Sequence, residues 1–162
     1  MVDDVVRTLG FLCMGSRFRR IGERLQADTQ QIIEEYGIAI QAAQYPFLAA
    51  LDRAGPLTIG ELAQAVGITQ PGATRTVSQL LELGLVDMQA APDDQRRRLI
   101  SLSRKGQELV DYSKQSVWPR ISAAVADLCG DLNGPILAQL AAIEDRLAEA
   151  ALVRRAAKEE TT

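Results

Sequence analysis

The chain has 162 residues, of which 47% are hydrophobic, 24% charged and only 4% aromatic, enough for one compact domain, or two small ones sharing a core, packed with aliphatic side chains. Two cysteines far apart, no histidine and no glycine-rich phosphate loop exclude the usual zinc sites and imidazole-dependent catalysis, so neither an enzyme nor a metal or other cofactor is expected. Net charge is −3, no run approaches the ~18 apolar residues of a membrane span, and the acidic start Met1-Val2-Asp3-Asp4 is unlike a signal peptide; a soluble cytoplasmic protein is expected.

Val5, Val6, Leu9, Leu12 and Cys13 recur at helical spacing, and Ile21, Leu25, Ile32 and Ile33 continue the stripe. This predicts one long helix or two collinear ones from about Val2 to Glu35, weakened by Gly10, Gly15 and Gly22. At roughly 50 Å such an element is too long to pack wholly inside one small domain, and a second subunit is the expected cover for its apolar stripe. Tyr36-Gly37 ends it. A second helix is expected from near Gln41 to Arg53, with Phe47, Leu48 and Leu51 inward. Pro46 delays or kinks its first turn, and Gly55-Pro56 stops it.

The middle of the chain is the most legible. Thr58-Ile59-Gly60-Glu61 is a capping box, and Leu62, Ala63 and Val66 form the apolar face of a short helix closed by Gly67. Thr69 is an N-cap, and Pro71 is tolerated in the first turn of the next helix, whose inner face is Ala73, Val77, Leu80 and Leu81. Two short helices with this connection predict a helix-turn-helix. Leu85–Met88 and Arg98–Leu102 read as strands around the polar tip Gln89–Gln95, so a β-hairpin wing follows directly. Ser103 caps a long helix through Leu109, Val110 and Val117, which Pro119 interrupts or kinks. After the turn Asn133-Gly134-Pro135, Ile136, Leu137, Leu140, Ile143, Leu147 and Leu152 predict a last amphipathic helix. The tail from Lys158 to Thr162 is polar and expected to fray.

The negative average conceals a local cationic segment. Between Arg96 and Lys105 stand Arg96, Arg97, Arg98, Arg104 and Lys105 with no acid. At 100° per residue, Pro71, Arg75, Ser78, Gln79 and Glu82 fall opposite the apolar face of the helix after Thr69, with Thr74 flanking and Gln70 at its tip. Short polar side chains permit approach to a major groove, and Arg75 has the geometry to donate bidentately to guanine. Asp94 and Arg96 sit two apart near the wing tip, where the carboxylate is expected to hold the guanidinium for entry into a narrow A·T-rich minor groove. Arg97 and Arg98 are placed to neutralise phosphates.

The runs Leu57-Thr58-Ile59-Gly60-Glu61-Leu62-Ala63, Thr69-Gln70-Pro71-Gly72-Ala73-Thr74-Arg75 and Leu83-Gly84-Leu85-Val86 resemble the MarR family of transcriptional regulators. Asp94-Gln95-Arg96 followed by Leu102-Ser103-Arg104-Lys105-Gly106 matches that family's wing signature. The resemblance implies a mainly α fold with a winged helix-turn-helix, in one continuous domain. Residues 1–40 and 104–162 would form the dimerisation region, and residues 41–103 the DNA-binding lobe. It implies a homodimer that binds a pseudo-palindromic operator in double-stranded DNA, usually as a repressor relieved by a small ligand, with Arg75 in the major groove and Arg96 in the minor groove. Thr69, Gln70, Thr74, Arg75, Ser78, Gln79, Asp94, Arg96, Arg97 and Arg98 are the candidate DNA-contacting residues. Met88 departs from the family, which commonly has arginine there.

For a small aromatic or hydrophobic effector the candidates are Phe11, Phe18, Tyr45, Phe47, Tyr112 and Trp118, which equally well fill core space. Cys13, one turn before Arg17, is the candidate redox residue, although it shares an apolar stripe with Leu9 and Leu12, where a structural cysteine is the ordinary case. The competing reading is a winged-helix dimer that acts through protein partners or ligand binding without an operator, consistent with the acidic pI of about 5.1 and with Met88.

Overall fold

The first 35 residues form no unbroken helix. In the computed structural model, α1 spans Val5–Thr8, a 3-10 turn covers Gly10–Cys13, and α2 runs over Met14–Glu35. The break falls where Gly10 takes φ +55°, a left-handed conformation that glycine adopts without steric cost. Asp4 caps α1 and pairs with Arg20 on α2 at 3.0 Å, tying the two pieces together. The structure describes residues 2–92, 94, 96–130 and 132–149, and the chain divides into two compact units, Met1–Ile121 and Ser122–Thr162.

In the first unit, a 3-10 turn over Ala42–Gln44 precedes α3, Tyr45–Ala54. Pro46 lies in the first turn of α3, where its missing N–H would have had no partner, so the α-helix starts later than Gln41. Then come α4, Ile59–Val66, and α5, Gln70–Glu82. Thr58 and Glu61 exchange the two hydrogen bonds of a capping box, at 2.7 and 3.2 Å. Gly67 closes α4 in the left-handed conformation, and Thr69 caps α5 by accepting the Gly72 N–H. Phe47, Leu48, Leu62, Leu80 and Ile100 are fully buried in one core that also takes in Ile33 of α2.

The wing is antiparallel, β1 Val86–Ala90 against β2 Arg98–Leu102, in register from Val86↔Leu102 to Ala90↔Arg98. β1 extends beyond the predicted Met88. A third segment joins it: the N–H and C=O of Leu57 both bond to Ile100, at 2.9 and 2.7 Å. Ser103 caps α6, Arg104–Tyr112, by accepting the Gly106 N–H. Helix continues past Pro119, because a wider π turn over Ser113–Val117 leads into α7, Trp118–Cys129. That turn removes the clash a proline ring makes with the carbonyl four residues before it.

The second unit holds the end of α7, a turn with Gly134 at φ +83°, and α8 over Ile136–Glu149. Leu152 and the tail from Lys158 lie outside the described residues, as do Asp93 and Gln95 of the wing tip. Among the described residues no helix is long and apolar enough to cross a membrane.

Candidate nucleic-acid interface

Helix α5 divides as its sequence pattern requires. Ala73, Val77 and Leu80 are buried, whereas Gln70, Pro71, Thr74, Arg75 and Ser78 are exposed. The hydroxyls of Thr74 and Ser78 donate to helix carbonyls one turn back, at 2.9 and 3.0 Å. Toward a partner outside the helix they therefore offer acceptor lone pairs. Gln79 departs from the expected outward face. It is half-buried, and its side-chain oxygen accepts from the Gln44 amide at 3.3 Å.

At the wing, Arg96 and Arg98 are exposed. Asp94 does not hold the Arg96 guanidinium. Its carboxylate accepts the Arg96 backbone N–H at 2.9 Å, because at a spacing of two residues the main-chain donor lies nearer than a long side-chain head. The acid thus shapes the turn, and the turn places the arginine. The tip is closed by the Ala91 N–H donating to the Arg97 carbonyl. Among the described residues, the guanidinium groups of Arg75, Arg96 and Arg98 have no hydrogen bond or ion pair. Glu61 is held below the usual carboxylate range by the backbone N–H and hydroxyl of Thr58, and the positive charge of Arg97 adds to that. Met88 is 41% exposed on β1.

Three contacts that sequence reasoning missed fasten the end of α5 to the start of α6. Lys105 Nζ donates to the Leu83 carbonyl at 2.8 Å, Ser103 Oγ to the Gly84 carbonyl at 2.7 Å, and the Ser103 N–H to the Leu85 carbonyl at 3.0 Å. The Leu-Ser-Arg-Lys-Gly run was their only signal.

The six candidate effector residues do not gather in one place. Phe47 and Tyr45 are core, 1% and 7% exposed. Tyr45 hydrogen-bonds Ser113 Oγ at 3.0 Å and meets Trp118 edge-on at 5.8 Å. Tyr112 is exposed and edge-on to Tyr36. Phe11 and Phe18 line an open groove of about 390 Å³ with Gly10, Met14, Arg17 and Ile21. A second groove, of about 290 Å³, is walled by Ile38, Ile40, Leu83, Leu85 and Leu109, with Lys105 in its lining. Cys13 and Cys129 are half-buried free thiols. Among the described residues no cluster of cysteines and carboxylates is arranged to hold a metal ion.

The MarR family model matches residues 37–97, from the α2–α3 connection to the wing tip. An uncharacterized HTH-type transcriptional regulator of Mycobacterium leprae is 32% identical over 77 residues, 48% of this chain and 54% of that protein. The chain thus spans about half the length of the curated relatives it matches. Among solved structures, the transcriptional repressor CouR bound to a 23-mer DNA duplex is 25% identical, with a TM-score of 0.70 over 81% of this chain and 92% of that one. A mutant MarR from E. coli complexed with operator DNA has a TM-score of 0.71 at 20% identity, over 90% and 99% of the two chains. Bordetella bronchiseptica BpsR, whose DNA binding is regulated by 6-hydroxynicotinic acid, has 0.69 at 24% identity, over 85% and 94%. The fold is a winged helix with long terminal helices, as in those structures.

Proposed function

We propose, from the MarR family match over residues 37–97, that the chain is a MarR-family member and a sequence-specific DNA-binding transcriptional regulator in the cytoplasm, a repressor that grips a pseudo-palindromic operator as a homodimer. One observation carries this reading. Arg75 on the recognition helix and Arg96 on the wing are both exposed, and among the described residues neither guanidinium is spent on an internal partner. Arg75 reads guanine in the major groove, with Thr69, Gln70, Thr74 and Ser78 beside it. Arg96 enters the minor groove, and Arg97 and Arg98 neutralise phosphates.

Dimerisation is supported by the apolar surface near the N-terminus. Phe11 and Leu12 are 92% and 81% exposed, and Val5, Leu9, Phe18 and Ile21 are exposed with them. Exposed apolar side chains in that number, with Phe11, Phe18 and Ile21 lining one groove, call for a partner. Residues 1–40 and 104–162 supply the dimerisation region in this reading, and residues 41–103 the DNA-binding lobe. A small aromatic or hydrophobic effector would modulate binding.

The test is selection of genomic fragments by the purified chain at stated salt, followed by fluorescence anisotropy on the recovered duplex and its single-base variants. Arg75→Ala is expected to relax preference at one base pair in each half-site, at a cost of about 1–3 kcal/mol. Recovery of no preferred sequence, or unchanged base discrimination in Arg75→Ala, refutes the reading.

A further inference from the structure

Gln44 is a polar residue in an apolar neighbourhood, only 4% exposed, in the turn that leads into α3. Its Oε1 accepts the Gln41 backbone N–H at 2.9 Å. Its Nε2 donates to Oε1 of Gln79 at 3.3 Å. The oxygen and nitrogen of a carboxamide are hard to tell apart by shape alone, but a backbone N–H only donates. The atom facing Gln41 is therefore the oxygen, which leaves the NH2 of Gln44 to face Gln79. The donor chain has one direction: Gln41 to Gln44 to Gln79.

The turn itself is anchored from α2. Gln30 Oε1 accepts the Ala42 N–H at 2.8 Å, and Gln30 Nε2 donates to the Ile40 carbonyl at 3.2 Å. Gln79 sits four residues beyond Arg75 on α5, on the neighbouring turn of the same side of the helix, and is half-exposed. Its oxygen is turned toward Gln44, so the end of the amide that faces an outside partner is its NH2.

We propose that Gln44 is a positioning residue that sets the hydrogen-bond polarity of Gln79 toward DNA, so that Gln79 donates to a base-edge acceptor, guanine O6 or N7 or thymine O4. The inference rests on the DNA-binding reading above. Glutamine recognises adenine with both ends of its amide at once, accepting from N6 and donating to N7. Gln79 Oε1 keeps a second lone pair, but it is turned inward to Gln44, so the two ends of the amide do not face an adenine edge together. A phosphate oxygen would take the same NH2, but such a contact carries no base preference.

The test is a base-pair scan of the selected operator by anisotropy, with the full-length chain and four variants: Gln79→Ala, Gln44→Met, Gln44→Glu and the double variant Gln44→Met with Gln79→Ala. Loss of the contact in Gln79→Ala is expected to cost roughly two- to tenfold at one base pair per half-site. Gln44→Met frees the Gln79 amide to turn, so preference at that pair flattens although Gln79 is intact. Gln44→Glu offers Gln79 only acceptors. The Gln79 amide then turns its oxygen outward, and preference moves to the base pair that presents an amino group at that place. In the double variant, the Gln44 substitution adds nothing to the effect of Gln79→Ala. Because preference is a ratio of affinities for two duplexes, the folded fraction of a destabilised variant cancels from it. Retention of the wild-type preference by both Gln44 variants overturns the proposal. So does a Gln79→Ala loss that is equal for every sequence, which assigns the NH2 to phosphate. If the wild-type chain binds all duplexes alike, the regulator reading fails first and takes this inference with it.

Discussion

Gly106 on α6 lies against the carbonyl oxygen of Leu85, so close that a Cβ at position 106 would collide with it. Around this contact Ser103 and Lys105 bond the carbonyls that end α5. The junction thus sets the start of α6, the end of α5 and the approach to the first strand of the wing against one another.

Gly106→Ala is therefore expected to destabilise the fold by about 1–3 kcal/mol, the range for forcing extra volume into a packed site. The obstacle is backbone, which cannot rotate away as a side chain would. Operator affinity should fall as well, since both reading elements hang from this junction. Thermal denaturation checks the first expectation; an unchanged melting temperature would show that α6 can step back without loss.

Arg96→Ala should weaken binding mainly on operators with A·T-rich flanks. Narrow A-tract minor grooves concentrate negative potential, and an inserted guanidinium gains more there than in a wide G·C groove. Asp94 fixes the turn through the Arg96 main chain, so Asp94→Ala should blunt the same flank preference with the guanidinium still present. Anisotropy on paired operators differing only in their flanks decides the matter, and equal losses on both would count against minor-groove insertion.

How much of this was legible in the sequence follows from the range of the interactions. Caps act over three residues, so Thr58 with Glu61, Thr69 and Ser103 could be read directly, and they place α4, α5 and α6 correctly. Leu57 pairing with Ile100 could not, because a single bridging residue has no period. Three glycines weaken the N-terminal stripe equally by composition, yet only Gly10 takes a positive φ. Two of the candidate DNA-contacting residues, Gln79 and Asp94, were placed by helical angle and spacing alone. Gln79 is held by Gln44, 35 residues away, and Asp94 chose a main-chain donor over a side chain. The six aromatics were grouped by type, whereas the fold scatters them between core and surface.

Lys114 and Asp52 join the π turn to α3 at 2.6 Å, with side chains 44% and 12% exposed. The bond from Lys114, then one from Gln107, holds the Asp52 carboxyl below its ordinary value. A depressed carboxylate stabilises the fold above its unfolded pKa, near 3.9, and that stability is lost as pH falls through the lower, folded value. Lys114→Met should thus reduce stability at neutral pH and leave little difference from wild type in acid below the folded value. Half-exposure of the lysine limits the effect to roughly 0.5–1 kcal/mol. Urea denaturation at several pH values measures it, and a deficit that persists in strong acid would point to lost packing in place of charge.

Tyr45 gives the opposite sign at the alkaline end. Burial pushes its phenol above the usual tyrosine value, and the hydrogen bond with Ser113 draws it partly back. A raised phenol favours the neutral form in the fold. Its contribution is complete below the unfolded pKa, near 10, and is lost as pH rises through the folded value. Ser113→Ala removes the restraining bond, so the Tyr45 titration should move further up while the buried hydroxyl loses its partner, at a cost of roughly 1–3 kcal/mol. The difference in absorbance titration between wild type and Tyr45→Phe isolates the Tyr45 transition. A Tyr45 that ionises at or below the ordinary tyrosine value in wild type, or moves downward in Ser113→Ala, would show that its hydroxyl is reached by solvent.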